Sequence, residues 1–276
     1  MNNEKVWLIT GASQGLGLEM VKYLLAQHQI VIATTRNKDK FDSSVRDNHR
    51  LEIVNLDLNS DHQVNDTIGR IADKYGSIDV LINNAGYGIV GAIEECSSEE
   101  IENVIAINVL ATLRMIRSVL PYMRKRHSGH IINLSSMAGL LSSPGWGIYN
   151  TTKYAVEGFT EALYHEVKDL GIKVSMLEPG AFRTHFLAGS LVSAEQVIPD
   201  YDATAGNTKR RLAGNDGKQP NDPRKAAIAV YDLVQMDDPP LRLLLGKDAY
   251  TNAKKKIALL EADFERMKNV TFEVGY

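Results

Sequence analysis

Residues 6–17 read Val6-Trp7-Leu8-Ile9-Thr10-Gly11-Ala12-Ser13-Gln14-Gly15-Leu16-Gly17, an apolar run that leads into a glycine-rich turn and an amphipathic stretch. Small residues in such a turn let the backbone approach a pyrophosphate, and the helix that follows offers its N–H groups to the anion. The predicted phosphate cradle consists of Gly11, Ser13, Gln14, Gly15, Leu16 and Gly17. A plain loop is the alternative for this turn taken alone. A P-loop does not fit, because no Lys-Ser/Thr pair follows Gly17.

Outward from this turn, short apolar runs alternate with helix-forming stretches. The predicted strands cover residues 6–10, 30–35, 51–56, 78–82, 129–134, 172–177 and 241–245. The predicted helices cover 16–27, 60–75, 98–126, 149–170, a segment from 223 onward and 248–268. Nearly continuous apolar strands joined by helical crossovers predict a parallel sheet that is covered on both faces. The predicted fold class is therefore α/β, a single-domain Rossmann-type doubly wound parallel sheet with helices on both faces.

The alternation of strand and helix is interrupted once. Between residues 186 and 222 Gly, Asn, Asp and Lys accumulate, and the pattern resumes at Asp222-Pro223 with an N-cap followed by proline. No linker separates two cores. We therefore predict one domain over residues 1–276, with 186–222 as a mobile lid inserted over the substrate site.

Composition excludes several classes of function. A net charge of −3 gives no argument for nucleic acid or an anionic membrane. Cys96, the single cysteine, cannot form an internal disulfide, which is typical of a reducing compartment. No apolar run approaches the ~20 residues that span a bilayer, and Met1 to Lys5 lack a signal-peptide layout. We expect a cytoplasmic protein with no membrane or nucleic-acid partner. The histidines show no ligand spacing, so no metal site is predicted.

The end of the second predicted strand should meet the adenosine ribose of a dinucleotide. A carboxylate there would bind the 2′-hydroxyl, whereas an arginine can pair with a 2′-phosphate. The sequence reads Thr34-Thr35-Arg36-Asn37, with no acid at this position. Arg36 therefore favours NADP(H) over NAD(H). The alternative is an ordinary solvated arginine in a turn.

Tyr149 and Lys153 lie four residues apart on a predicted helix, so their side chains share one face. A tyrosine with an ordinary pKa of about 10 is a poor proton shuttle near neutrality, and a nearby ammonium would lower that pKa. Ser136 ends a strand and is placed to hydrogen-bond the same substrate oxygen. Alone, this Tyr–Lys spacing is usually a helix-surface pair. With Ser136 and the glycine turn, it predicts proton transfer to a carbonyl oxygen as hydride arrives at carbon.

An ordered set of motifs covers residues 10–184. It comprises Thr10-Gly11-x-x-x-Gly15-x-Gly17, Asp57, Asn83-Asn84-Ala85-Gly86, Asn108, Ser136, Tyr149-x-x-x-Lys153, Pro179-Gly180 and Thr184. In these motifs the chain resembles the short-chain dehydrogenase/reductase (SDR) family, NADP-preferring type. The resemblance implies that Tyr149 is the acid/base and that Ser136 orients the substrate oxygen. It implies that Lys153 holds the nicotinamide ribose and lowers the Tyr149 pKa, and that Asn108 anchors a water linking Lys153 to solvent.

The same resemblance implies further cofactor contacts. Asp57 and Leu58 would meet the adenine, and Asn84, Ala85 and Gly86 would pass beneath the adenosine ribose. The residues expected near the nicotinamide are Pro179, Gly180, Phe182 and Thr184. NADP-preferring members often carry Thr-Arg where Thr35-Arg36 stands, which agrees with the charge argument. Many also carry a basic residue where this chain has Ser13, so Arg36 lacks that support.

These observations predict an NADP(H)-dependent oxidoreductase that acts on CH–OH groups and interconverts a carbonyl and an alcohol. Apolar residues near the lid indicate a small hydrophobic substrate, with candidate contacts at Leu141, Trp146, Phe182 and Phe186. Trp146 could equally be a core residue. The alternative function is a catalytically silent dinucleotide-binding sensor or structural protein, which needs only the cofactor cradle. The resemblance also implies a homodimer or homotetramer that pairs through helices 98–126 and 149–170.

Overall fold

The computed structural model describes residues 4–276, with the backbone alone at Lys40; residues 1–3 of the domain predicted over 1–276 lie outside the described residues. The strands are β1 Val6–Ile9, β2 Ile30–Thr35, β3 Leu51–Asn55, β4 Val80–Asn83, β5 Gly88–Val90, β6 Gly129–Leu134, β7 Ile172–Pro179, β8 Leu191–Ser193 and β9 Arg242–Leu245. The α-helices are α1 Gly15–Ala26, α2 Ser43–Arg46, α3 Asp61–Tyr75, α4 Ser98–Ile105, α5 Ala111–Arg126, α6 Gly147–Val167, α7 Asn207–Asn215, α8 Pro223–Gln235 and α9 Lys247–Glu273. Single π-helical turns cover Ala106–Leu110, Phe186–Ser190 and Asp202–Gly206.

Seven of these strands form one parallel sheet in the order β3-β2-β1-β4-β6-β7-β9. The chain starts at β1, moves outward to β3, and then crosses back to β4 on the other side of β1. At such a reversal the loops after neighbouring strands diverge and leave a crevice at their carboxyl ends. The predicted doubly wound α/β fold is confirmed, and the crevice lies where β1 and β4 end.

Successive residues of β1 pack on opposite faces of the sheet, as a strand requires. Trp7 and Ile9 belong to the core that α1 and α8 cover, whereas Leu8 belongs to the core under α3, α5 and α6. All three side chains are fully buried. Truncating such a residue to alanine removes about 2–5 kcal/mol of stability. Two filled cores therefore hold the strand that leads into the glycine turn.

The helix starts follow the capping signals in the sequence. Ser97 Oγ accepts a hydrogen bond from the Glu100 backbone N–H at 3.2 Å, and the Glu100 carboxylate accepts one from the Ser97 N–H at 2.8 Å. This is a complete capping box. At α3, Ser60 accepts from the Gln63 N–H at 3.3 Å, but the Gln63 side chain accepts from the Asp57 N–H instead. That box is therefore only half formed.

A continuous helical stretch runs through Ser98–Arg126, where the π-turn joins α4 to α5. By length and composition alone it could cross a membrane, contrary to the expectation that no apolar run approaches this length. Core helices of globular domains meet the same criterion. Here Met115, Val119 and Met123 are buried against the sheet with α3 and α6. The apolar side of this helix forms part of the domain core.

Candidate active site

The glycine turn closes tightly on the end of β4. Gly11 and Gly15 have φ angles of +63° and +60°, values that residues other than glycine rarely adopt. A Cβ atom at Gly11 would lie 2.7 Å from Ala85 Cα, and one at Gly17 would lie 2.6 Å from Asn84 Nδ2. Both backbone shape and lack of space therefore require glycine here.

Asn84 fastens the turn to the sheet. Its Nδ2 donates to the carbonyl oxygens of Thr10 and Gly11, each at 2.9 Å. In return the Thr10 hydroxyl accepts from the N–H groups of Asn84 and Ala85, each at 3.0 Å. The Asn84 side chain is thus occupied in shaping the cradle, which sequence reasoning did not anticipate when it assigned this residue to the ribose.

The amino end of α1 suits a phosphate. Gln14 is its N-cap but makes no capping hydrogen bond with its side chain, and the first turn carries no acidic residue. The first N–H groups are therefore left for an anion, which the helix dipole also favours. The Gln14 side chain instead donates to Ser190 Oγ in the lid at 3.0 Å. A pyrophosphate fits the residues present at this turn.

The residues predicted to meet the adenosine lie at the ends of β2 and β3. Arg36 is exposed directly after β2, and within residues 4–276 it takes part in no ion pair. Asp57 is exposed and its carboxylate accepts from the Asn59 N–H at 3.0 Å, while Leu58 is half-buried. The Arg36 guanidinium is therefore available to a phosphate group.

Tyr149, Lys153 and Ser136 come together at the carboxyl end of β6. Tyr149 and Lys153 are buried on α6, and the Lys153 ammonium lies 5.7 Å from the centre of the Tyr149 ring. Lys153 Nζ donates to the Leu134 carbonyl oxygen at 2.7 Å, at the last residue of β6. Ser136 follows two residues later, and its hydroxyl accepts from the Ala138 N–H at 3.1 Å. The structure thus brings the predicted side chains of Tyr149, Lys153 and Ser136 together at one site.

Burial dominates the ionisation of this pair. It raises the pKa of Tyr149 to about 12, with a hydrogen bond from Ser136 acting against it. It lowers the pKa of Lys153 to about 8, and the Glu157 carboxylate opposes that change. Burial alone therefore favours the neutral phenol, and the prediction that Lys153 lowers the Tyr149 pKa stays a prediction.

Asn108 links the long helix to the site through the π-turn at Ala106–Leu110. Its Nδ2 donates to the Tyr87 carbonyl at 2.9 Å and to Thr152 Oγ1 at 3.0 Å, and its Oδ1 accepts from the Tyr87 N–H at 3.0 Å. A Cβ atom at Gly86 would lie 3.0 Å from Asn108 Oδ1 and 4.0 Å from Lys153 Nζ. Asn108 therefore lies beside Lys153, and its role toward water stays a prediction.

Aromatic side chains cover the Tyr149 ring. The ring centres of Trp146 and Phe186 lie 5.3 and 6.2 Å from it, and buried Ile89 and Val104 belong to the same apolar cluster. Two other candidate substrate contacts are not in this cluster. Phe182 packs against the core that α1 and α8 cover, and Leu141 lies in the loop before α6, where its carbonyl accepts from Asn150.

The cofactor residues predicted after β7 border the same crevice. Gly180 donates from its N–H to the Leu245 carbonyl at 2.9 Å, and Pro179 is the last residue of β7. The side chain of Thr184 comes within 3.8 Å of a Cβ atom built on Gly15. Phe182 packs against the core cluster that includes Ala12 of the glycine turn. Thr184 thus joins the segment after β7 to the phosphate cradle.

Residues 186–222 fold back onto the domain rather than forming an irregular loop. β8 pairs in parallel with β5, and the Ala194 N–H continues the ladder to the Val90 carbonyl at 2.9 Å. Beyond it, the Ile198 N–H donates to the buried Glu95 carboxylate at 3.0 Å. Thr208 donates to the Pro144 carbonyl at 2.9 Å. The predicted assignment of this segment as a lid over substrate stays a prediction.

Two buried carboxyl groups converge on Arg242, and the sequence analysis missed them. Glu157, one turn after Lys153 on α6, and Glu178, on β7, each approach Arg242 Nε at 3.4 Å. Burial raises the pKa of Glu157, and burial together with the Glu157 charge raises the pKa of Glu178 to about 8. The available signal was Glu178 itself, an acid directly before Pro179 at the end of a mostly buried strand.

Comparisons with known proteins agree with this geometry. The family model described as short chain dehydrogenase matches residues 5–193. Over 269 residues the chain is 36% identical to oxidoreductase BOA17 of Botryotinia fuckeliana, covering 97% of this chain and 98% of that protein. Over 244 residues it is 35% identical to 3-ketodihydrosphingosine reductase of Bacteroides thetaiotaomicron, covering 88% of each. A short-chain dehydrogenase from Streptomyces avermitilis superposes with a TM-score of 0.91 at 36% identity, over 98% of this chain and all of that chain. ElxO with NADP bound superposes with a TM-score of 0.73 at 26% identity, over 90% of this chain and 99% of that chain.

Proposed function

This chain belongs to the short-chain dehydrogenase family, and from that premise we propose that it is an NADP(H)-dependent enzyme that reduces the carbonyl group of a hydrophobic ketone or aldehyde. The observation that carries the proposal is the burial of Tyr149 against aromatic side chains, with Ser136 and Lys153 beside it. A phenol in these surroundings holds its proton near neutral pH and can give it to a substrate oxygen.

Tyr149, Ser136 and Lys153 have different roles in the proposed reduction. Bound NADPH supplies the hydride that the carbonyl carbon accepts. Tyr149 gives its proton to the carbonyl oxygen, and Ser136 holds that oxygen by a hydrogen bond. Lys153 then lies 5.7 Å from the ring of the phenolate, where its ammonium stabilises the charge and can return a proton. Because its pKa is about 8, Lys153 exchanges protons in the working pH range.

The substrate class follows from the surroundings of Tyr149. The rings of Trp146 and Phe186 lie next to that of Tyr149, and buried Ile89 and Val104 belong to the same apolar cluster. Such a wall favours an apolar chain or ring next to the reacting carbon. The relative named 3-ketodihydrosphingosine reductase supports including long-chain ketones among the compounds tested.

The decisive experiment is NADPH oxidation by the purified protein against a panel of hydrophobic ketones, including long-chain 3-ketones. We expect Tyr149→Phe to lower kcat by about 10²–10⁴, the usual contribution of a positioned acid. Tyr154→Phe is the matched control, because Tyr154 is on the same helix but exposed, with its hydroxyl bonded to the Leu140 carbonyl. If wild type and Tyr149→Phe are equally slow on every compound while NADPH binds, the protein is a dinucleotide-binding sensor and the proposal is wrong.

Cofactor choice is tested at Arg36. A charge-assisted contact to the 2′-phosphate contributes about 1.5–3 kcal/mol, which corresponds to roughly a tenfold to hundredfold change in affinity. Arg36→Ala should weaken NADPH by that factor and leave NADH unchanged. Lys38→Ala is the control, because it also removes one positive charge from the exposed surface, two residues further along the chain. An unchanged ratio of kcat/KM for the two cofactors in Arg36→Ala removes the phosphate-binding role.

A further inference from the structure

The terminal helix α9 carries an apolar stripe that begins against the domain and then leaves it. Ala249 and Ala253 are buried, and next to them Asn252 contacts the Met137 sulfur. From residue 254 to the end of the chain every side chain except that of Lys256 is exposed. The last three quarters of the helix are therefore not buried by their own domain.

The stripe has the spacing of a coiled-coil seam. Its members follow one another at alternating intervals of four and three residues: Ala253, Ile257, Leu260, Phe264, Met267, Thr271 and Val274. That heptad pattern aligns them along one side of a helix. Ile257, Phe264 and Met267 are 47%, 67% and 47% exposed, which is unfavourable in water for apolar side chains in one contiguous row. The seam is complementary to a second helix of the same kind.

The position of the domain decides how a second helix can lie. Because Ala249 and Ala253 face the chain's own domain, that domain fills the near end of the seam. A parallel partner would place its domain at the same end, where the two would need the same space. An antiparallel partner keeps the two domains at opposite ends. It also aligns Phe264 with Met267, Leu260 with Thr271, and Ile257 with Val274 of the second copy.

Charges beside the seam agree with self-association. In the antiparallel register Glu261 faces Lys268 of the second copy, and the symmetry of the pair repeats this contact. On the other edge Asp263 faces Val270, so no like charges meet. Within one chain Lys268 lies 3.4 Å from Glu265 in an exposed ion pair, which contributes little and can be exchanged. A parallel pair would also bring opposite charges together, so the domain position, and not charge, sets the direction.

We propose that α9 is a dimerisation element in which the exposed part of the seam, residues 257–274, packs antiparallel against the same residues of a second copy of this chain. The proposal is independent of the catalytic function. It differs from pairing through the helices over 98–126 and 149–170, and both contacts can exist in one assembly.

The molar mass of the full-length protein, measured by light scattering, tests the seam when two neighbouring leucines are replaced in turn. Leu260 lies in the seam, whereas Leu259 is 65% exposed and lies off it. We expect Leu260→Ser to halve the molar mass relative to wild type, and Leu259→Ser to leave it unchanged. A wild-type mass of 30.6 kDa, or equal masses for both variants and wild type, overturns the proposal.

A second experiment measures binding of the same proteins to vesicles of phosphatidylcholine and phosphatidylglycerol. Loss of vesicle binding in Leu260→Ser without a change in mass identifies a membrane-facing stripe and refutes pairing.

Disulfide trapping tests the direction. In a Cys96→Ser background, which removes the native cysteine, the double variant Ile257→Cys/Val274→Cys should form an intermolecular disulfide under mild oxidation. Ile257→Cys alone should not, because antiparallel helices hold the two 257 positions roughly 25 Å apart at 1.5 Å per residue. Cross-linking of the single variant, or none in the double variant, contradicts antiparallel pairing.

Discussion

Replacing Glu178 with glutamine should remove a large part of the pH dependence of stability between pH 5 and pH 8. Glu178 is 1% exposed and shares Arg242 with the buried Glu157. Burial and the Glu157 charge raise the Glu178 pKa from 4.5 to about 8. The folded protein thus keeps a proton through a pH range in which the unfolded chain has lost it.

The sign and size follow from that proton. The contribution is fully present below pH 4.5 and is lost as pH rises through about 8, because folding then requires either proton uptake or a buried charge. The full shift corresponds to about 5 kcal/mol at 1.36 kcal/mol per pH unit. Since Arg242 is 38% exposed and water reaches one side of the cluster, we expect roughly half of this, about 2–3 kcal/mol. Glutamine does not titrate and can donate its amide to Glu157.

The assay is urea unfolding of wild type and Glu178→Gln at pH 5 and pH 8, at equal protein concentration. The two should be similar at pH 5, and the variant should be more stable at pH 8. Glu161→Gln is the control, because Glu161 binds the same Arg242 at 2.7 Å from an exposed position, and its hydrogen bond to that guanidinium lowers its pKa. Removing it should lower stability by the same amount at pH 5 and at pH 8, because its contribution is present above pH 4.5 and is lost only below that value. If the difference between wild type and Glu178→Gln is the same at both pH values, Glu178 is ionised throughout and the reasoning fails.

Three further predictions concern the site. Gly11→Ala should reduce stability by about 1–2 kcal/mol and abolish NADPH binding in calorimetry, since its φ is +63° and Ala85 fills the space; retained binding contradicts this. Asn108→Ala removes three hydrogen bonds to Tyr87 and Thr152 and should lower kcat while the Kd for NADPH is unchanged; equal changes in both refute a local role. Alcohol oxidation should accelerate as pH rises from 7 to 10, because it needs a Tyr149 phenolate whose pKa is about 12; a flat profile excludes Tyr149 as the base.

Elements that rest on hydrophobic periodicity were predictable. β2 and β6 have the bounds of their apolar runs, and α8 begins at the proline that follows Asp222. β5 and β8 were not predicted, because each has three residues and they pair across a long stretch of chain. Such short strands carry too few residues for a period-two pattern.

The candidate site was predictable where local spacing decides position and not where packing does. Tyr149 and Lys153 share a face because they are four residues apart on α6. The aromatic surroundings of Tyr149 were only partly predictable, because Phe186, whose ring lies 6.2 Å from that of Tyr149, comes from a distant segment. Glu157 was missed because an acid on an amphipathic helix usually faces solvent, and only the fold places Glu178 opposite it.

Because β5 and β8 form only a short parallel pairing, we expect the segment over 186–222 to open locally without global unfolding of the domain. The ladder itself consists of three residue pairs and the Ala194 N–H, and single hydrogen bonds from Ile198 and Thr208 supplement it, whereas β6 and β7 share six residue pairs in the central sheet. If this segment acts as the predicted lid, we expect the short ladder to break while both cores stay intact. The Ala194 amide would then report that local opening. Its hydrogen exchange should be much faster than that of β6 amides, and a bound ligand should slow it selectively.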